Sequence, residues 1–195
     1  MSLILQNSYL WKVHSSPPVY LFGTVHVPYT TLWDHIPENA KTAFSSSEDL
    51  GVELRLSDPS TLTQLTDCQY LPRENTINQV LSQEMHQRIS NYLNRIRVLL
   101  PNWLKGTSAP FLGGRYVDQL FNAMVAGWER KRPIWVLFML SSITEQNIRL
   151  RTIPLLDLFL DNAAAGMGKS VQAMETPSDQ CRPLNRLSTE QVRGN

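Results

Sequence analysis

The chain has 195 residues, of which 42% are hydrophobic, so it is long and apolar enough to fold around a core as a single domain, residues 1–195. Its 18 Lys and Arg residues balance 17 acidic residues, and the net charge of +1 gives no electrostatic basis for binding nucleic acid. The longest apolar run, residues 134–140, is far shorter than the ~20 residues that cross a bilayer, and the first residues lack the pattern of a secretory signal.

Four segments carry the patterns of β-strands. Residues 9–13 and 19–25 are separated by Ser-Ser-Pro-Pro, which predicts a hairpin. Residues 50–56 alternate between apolar and polar side chains, with Glu53 on the polar face. A short apolar segment, residues 171–174, predicts a last strand.

Other segments show the apolar spacing of amphipathic helices. Pro37 is expected to break the first of them, Pro101 to end the longest, and Pro133 to occupy the first position of another. The predicted helices are residues 31–45, 76–100, 116–128, 134–140 and 155–167. Residues 134–140 also fit a buried strand by composition. Residues 105–114, which contain Gly and Pro, predict a connecting loop.

Three polar residues accompany predicted strands. His26 follows the second strand in a Gly-Thr-x-His sequence, Glu53 lies within the third, and Glu175 follows the last. In an open α/β sheet, residues at the carboxyl ends of parallel strands converge on one crevice. One imidazole and two carboxylates suit a divalent metal, and a carboxylate beside the ion could act as general base. We therefore predict a metal-dependent hydrolytic site.

Each of these residues also has a structural interpretation. His26 could be a hydrogen-bonded structural histidine, Glu53 a solvated side chain on an edge strand, and Glu175 a turn carboxylate. The remaining histidines are expected at the surface: His14, His35 and His86. The two cysteines, Cys68 and Cys181, fit a disulfide or two buried thiols equally well. The sequence contains no His-Glu-x-x-His, Cys-x-x-Cys, Gly-x-Ser-x-Gly or phosphate-loop motif.

Several longer segments together resemble a known family. They are FGTVHVPYTTLWDHIP, VELRLSDP, CQYLP, FNAMVAGWERKRPIWVLFML, LLDLFLDNAAAGMGK and METPSDQCRPLN. These sequences are similar to the TIKI proteins, Wnt-inactivating metalloproteases of the TraB-domain superfamily. The resemblance implies an α/β fold in which helices flank a central sheet.

The resemblance also implies roles for individual residues. His26 and Glu175 would bind a divalent cation, manganese or cobalt, and Glu53 would be the catalytic residue. The substrate would be a Wnt protein, cleaved near its amino terminus, so that the enzyme would act as a negative regulator of Wnt signalling. The family lies at the extracellular face of the cell membrane, held by a carboxyl-terminal anchor, and Cys68 and Cys181 would then form a disulfide.

Three features that the family resemblance implies are not found in this sequence. A second Gly-x-x-His motif, a signal peptide and a membrane anchor are expected in TIKI proteins but do not occur in these 195 residues. We therefore expect a shortened form with an incomplete carboxyl-terminal part of the fold. The alternative function is that of a catalytically inactive module that binds Wnt or another partner.

Overall fold

The computed structural model describes residues 9–107, 114–188 and 191. The predicted loop at residues 105–114 is described at its two ends, and residues 108–113 lie outside the described residues. Within the described part of the chain, no helix combines the length and the apolar character that a membrane span requires.

The strands form two small sheets, both built from two strands in the residues described. The strands are β1, Leu10–Val13; β2, Val19–Phe22; β3, Asp49–Val52; and β4, Ser170–Ala173. Strands β1 and β2 pair antiparallel, which confirms the predicted hairpin. Strands β3 and β4 pair parallel, with Asp49 opposite Ser170.

Helices account for most of the remaining chain. They are α1, Tyr29–Leu32; α2, Glu38–Ser46; α3, Pro59–Asp67; α4, Gln83–Trp103; α5, Gly114–Val125; α6, Pro133–Ser142; α7, Glu145–Leu150; α8, Leu156–Gly166; and α9, Pro177–Asn185. Short 3₁₀ turns occur at Trp33–His35, Ile77–Gln79 and Trp128–Arg130. The predicted α/β class is confirmed.

The third strand is shorter than predicted, because the chain turns after Val52. The amide of Leu56 bonds to the carbonyl of Leu54 at 3.0 Å, and the amide of Asp58 bonds to the carbonyl of Arg55 at 3.1 Å. These local bonds replace a strand ladder. Glu53 therefore lies directly after β3 rather than within it.

The chain divides into two compact units, and each is described by itself. The prediction of one domain stays a prediction. The first unit comprises Met1–Leu62 and Ile153–Thr176. In this unit α8 contacts β3, β4 and α1 and buries Leu156, Leu160 and Ala164. Burial of this apolar face fixes the helix against the parallel strands.

The second unit comprises Thr63–Thr152 and Pro177–Asn195 and has a larger apolar core. The fully or nearly fully buried members of that core come from α4 to α7, from the Ile77 turn and from the segments that follow α4 and α6: Ile77, Ile89, Leu93, Ile96, Leu100, Leu104, Phe121, Met124, Val136, Met139, Ile143 and Ile148. Cys68 and Cys181 form a disulfide in this unit, so the pairing that the family resemblance implied is confirmed.

Both predicted ends of the longest helix were wrong. The helix α4 begins at Gln83 because the hydroxyl of Ser82 caps it, accepting the amide of Met85 at 3.2 Å. The helix also continues through Pro101 to Trp103. Burial of Leu100 on one side of the proline and Leu104 on the other offsets the missing backbone hydrogen bond.

His86 is not the exposed residue that the sequence predicted. Its ring stacks on Trp128 with a centroid separation of 4.9 Å, and its side chain is only 22% exposed. The imidazole Nε2 lies 3.4 Å from a carboxylate oxygen of Glu129. His86 occupies a polar position in the pattern of this amphipathic helix. Its contact with Trp128 depends on tertiary structure, so the periodicity of the helix could not predict it.

Candidate functional site

His26 lies in the loop between β2 and α1, and this loop is bound to the beginning of α8. The amide of Tyr29 bonds to the carbonyl of Pro154 at 3.0 Å, and the amide of Leu156 bonds to the carbonyl of Val27 at 2.9 Å. These two bonds lie on either side of Pro28 and place the loop across the amino-terminal end of the helix. His26 is thereby held next to the first turn of α8.

Asp157, in that first turn, binds the histidine ring. One oxygen of its carboxylate lies 2.6 Å from His26 Nδ1, and the other accepts the hydroxyl of Thr24 at 3.0 Å. A carboxylate can only accept, so Nδ1 carries the proton. In the neutral imidazole, Nε2 then has its lone pair available for an electrophile or a metal ion. The Asp157 side chain is 19% exposed, which strengthens its bond to the ring.

Glu53 approaches the other nitrogen of the same ring. Its Oε2 lies 3.8 Å from His26 Nε2. The glutamate is placed by the parallel pairing of β3 with β4, which continues past the strands: the amide of Met174 bonds to the carbonyl of Val52 at 2.8 Å. Both facing side chains are accessible to solvent, at 62% for His26 and 63% for Glu53. The pair therefore lies open to solvent.

Glu175 follows the partner strand. Its amide bonds to the carbonyl of Glu53 at 3.0 Å, so the two glutamates are neighbours across the end of the parallel ladder. Of the three residues predicted for the site, the structure thus brings His26 and Glu53 together through their side chains and joins Glu175 to Glu53 through the backbone. Their roles remain predictions.

The residues that face each other fit part of a cation site. An imidazole nitrogen and a carboxylate oxygen each bind such ions at about 2.0–2.2 Å. The distance of 3.8 Å between His26 Nε2 and Glu53 Oε2 is shorter than the combined length of two such bonds. One ion could therefore contact both atoms without movement of the backbone. Asp157 on the far nitrogen is the supporting partner that metal-binding histidines usually have. Within residues 9–107, 114–188 and 191, however, no group of three or more His, Cys, Asp or Glu side chains is arranged to hold a metal.

Two functional candidates were missed in the sequence, Asp157 and Asp161. They are spaced four residues apart in LLDLFLD and therefore share one face of α8. Asp161 is 1% exposed, and one of its oxygens accepts the amide of Ser57 at 3.3 Å. The sequence does contain a signal for these two residues. Two carboxylates on one face of an otherwise apolar helix are expected to have hydrogen-bond partners when they are buried.

Comparison with known proteins identifies the family to which the chain belongs. The model of the TraB/PrgY/gumN family matches residues 9–193, nearly the whole chain. The chain belongs to the TraB/PrgY/gumN family. Its predicted similarity to TIKI proteins is confirmed as well. The part of the chain that matches this family includes the loop of His26, the β3–β4 ladder and α8.

Among the relatives, the chain is 50% identical over 188 residues to a protein named Metalloprotease TIKI homolog from Amphimedon queenslandica, covering 96% of this chain and 37% of that protein. It is 46% identical over 186 residues to Metalloprotease TIKI2 from Xenopus tropicalis, covering 95% of this chain and 35% of that protein. It is 44% identical over 186 residues to Metalloprotease TIKI1 from Homo sapiens, covering 95% of this chain and 36% of that protein.

The chain thus spans little more than a third of the length of these relatives. No solved structure matches it. The names of the relatives place the chain in a metalloprotease family.

Proposed function

We propose that this member of the TraB/PrgY/gumN family carries part of the site of a metal-dependent peptidase. The observation that supports the proposal most is the contact chain from Asp157 to His26 to Glu53, with separations of 2.6 and 3.8 Å. It occurs at an exposed strand end in a chain whose relatives are named metalloproteases.

His26 and Glu175 would hold a divalent cation, and Glu53 would serve as a further ligand or as general base. When bound, the cation would supply electrophilic polarisation of a peptide carbonyl and would make water easier to deprotonate. Asp157 holds the proton on His26 Nδ1 and so keeps Nε2 in the form that can donate a lone pair. The carboxylate of Glu53, beside that nitrogen, can accept a proton from an attacking water.

We further propose manganese or cobalt as the ion and a Wnt protein as the substrate. Cleavage near the amino terminus of Wnt would make the protein a negative regulator of Wnt signalling. Its place of action would be the extracellular face of the cell membrane. The Cys68–Cys181 disulfide supports an oxidising compartment of this kind.

The direct test is the release of amino-terminal residues from a Wnt protein by the full chain in the presence of Mn²⁺, measured by mass spectrometry. His26→Ala should abolish the release. His14→Ala is the matched control, since His14 is also an exposed histidine of the first unit but lies in the β1–β2 connection. Equal cleavage by wild type and His26→Ala would rule out the assigned role of His26.

A second candidate function is binding without hydrolysis. It is favoured by the finding that the described residues present no group of three potential metal ligands. In that case the full chain would bind a Wnt protein with the same affinity in wild type and His26→Ala, and neither would cleave it. Surface plasmon resonance beside the cleavage assay separates the two functions.

A further inference from the structure

The helix α8 contacts both sides of the candidate site through two carboxylates. Asp157 binds the ring of His26. Asp161, one turn further along, accepts the amide of Ser57 in the segment that follows Glu53. One rigid element is therefore bound to the histidine by one aspartate and to the glutamate segment by the other.

The backbone on both sides of Glu53 contributes to its position. Its side chain is 63% exposed, so apolar packing does little to fix the carboxylate relative to the ring. On one side, the β3–β4 ladder holds the backbone through the carbonyls of Val52 and Glu53. On the other side the chain turns, and the amide of Ser57 binds the carboxylate of Asp161 on α8.

The burial of Asp161 argues against an incidental surface contact. The residue is 1% exposed, and among the described residues its second oxygen, Oδ1, has no hydrogen-bond partner. A buried carboxylate is costly to the fold unless its bonds offset the lost hydration. The other buried residues of α8 are apolar, Leu156, Leu160 and Ala164, so Asp161 is the polar exception on this face.

We propose that Asp161 is a positioning residue for the site, which holds the segment after β3 so that Glu53 faces His26. This inference rests on the proposed function, because the facing pair matters only if the pair acts on a ligand. Asp161 itself touches neither a substrate nor an ion in this account.

The test uses the full chain without metal and measures how strongly Glu53 acts on the ring of His26. At one fixed pH, Glu53→Gln should shift the ¹⁵N and ¹H signals of the His26 ring in the wild-type background. In an Asp161→Ala background, the shift should fall to about half or less, because the field of a charge weakens with distance. Asp161→Asn keeps an oxygen acceptor for the amide and should retain the full shift.

A matched control is Leu160→Ala. Leu160 is the buried neighbour on α8, at 8% exposure, so its truncation lowers the unfolding temperature without removing the bond to Ser57. The shift at His26 should survive in this variant. If Asp161→Ala does not fold, Ser57→Pro removes the donor while leaving the carboxylate in place, and it should reduce the shift in the same way.

An undiminished shift in the Asp161→Ala or Ser57→Pro background would overturn the proposal, as would an equal reduction in Leu160→Ala. Titration of the same proteins with Mn²⁺ tests the proposed function separately. A wild-type chain that binds no Mn²⁺ contradicts the metal site, whereas the ring signals still decide the role of Asp161.

Discussion

Removal of the Cys68–Cys181 disulfide should cost the second unit a large part of its stability. The bond joins residues separated by 113 positions, and closing a loop of that length removes about 16 cal/mol/K of chain entropy from the unfolded state. At 25 °C this corresponds to about 5 kcal/mol, an upper value since the unfolded chain is not fully random. We expect a loss of roughly 3–5 kcal/mol, which is equivalent to a fall of about 7–12 °C in Tm for a chain of this size.

The measurement is urea unfolding of the wild type and of the Cys68→Ala/Cys181→Ala double variant. Alanine is chosen because Cys181 is 3% exposed and a serine there would bury an additional hydroxyl. Wild type treated with dithiothreitol should approach the stability of the double variant, while the reductant should leave the variant unchanged. A double variant within about 1 kcal/mol of wild type would refute the entropic argument.

Three further changes test other parts of the structure. Asp157→Ala removes the acceptor of the imidazole Nδ1 and should weaken Mn²⁺ binding about 10–100-fold by calorimetry, whereas Thr24→Val, which leaves that bond intact, should change it little. Burial lowers the pKa of Lys131 below its ordinary value of 10.5, so the folded chain binds fewer protons than the unfolded chain, and stability should rise as the pH increases towards 10.5. Urea midpoints at pH 7 and pH 10 should show this rise in wild type and a smaller one in Lys131→Met. Gly127→Ala should cost about 1–2 kcal/mol in thermal unfolding, because the residue has φ of 61° and an added Cβ would lie 3.0 Å from the Tyr70 ring.

Local sequence signals predicted most of the elements. The Ser-Ser-Pro-Pro turn predicted the β1–β2 hairpin, and Pro133 predicted the first position of α6. Pro37 separated α2 from the short turn before it, as expected. These residues act on their own backbone, so their effect can be predicted without knowledge of the tertiary fold.

Tertiary packing explains where local signals failed. Pro101 did not end α4 because Leu100 and Leu104 are both buried, and their packing outweighs the lost bond. The strand at residues 50–56 showed good alternation, but Leu54 is buried within a turn rather than a ladder. Apolar alternation cannot distinguish these two kinds of burial.

The site was predictable in part for the same reason. His26 and Glu53 could be proposed because each accompanies a predicted strand. The expected convergence of parallel strands does not explain how they meet, because β2 pairs antiparallel with β1, whereas β3 pairs with β4 in a separate sheet. Parallel pairing explains only that Glu53 and Glu175 are neighbours. Asp157 could not be joined to His26 from the sequence, since 131 positions separate them and only the bonds between the His26 loop and α8 bring them together. The spacing of Asp157 and Asp161 showed a shared helix face but not what that face contacts.

The proposed function requires His26 and Glu175 to hold a divalent cation, and calorimetric titration of the full chain with Mn²⁺ tests this most directly. Wild type and His14→Ala should bind Mn²⁺, and the affinity should be at least about tenfold weaker in both His26→Ala and Glu175→Gln. Wild-type affinity in His26→Ala, or no binding by the wild type, would contradict the claim.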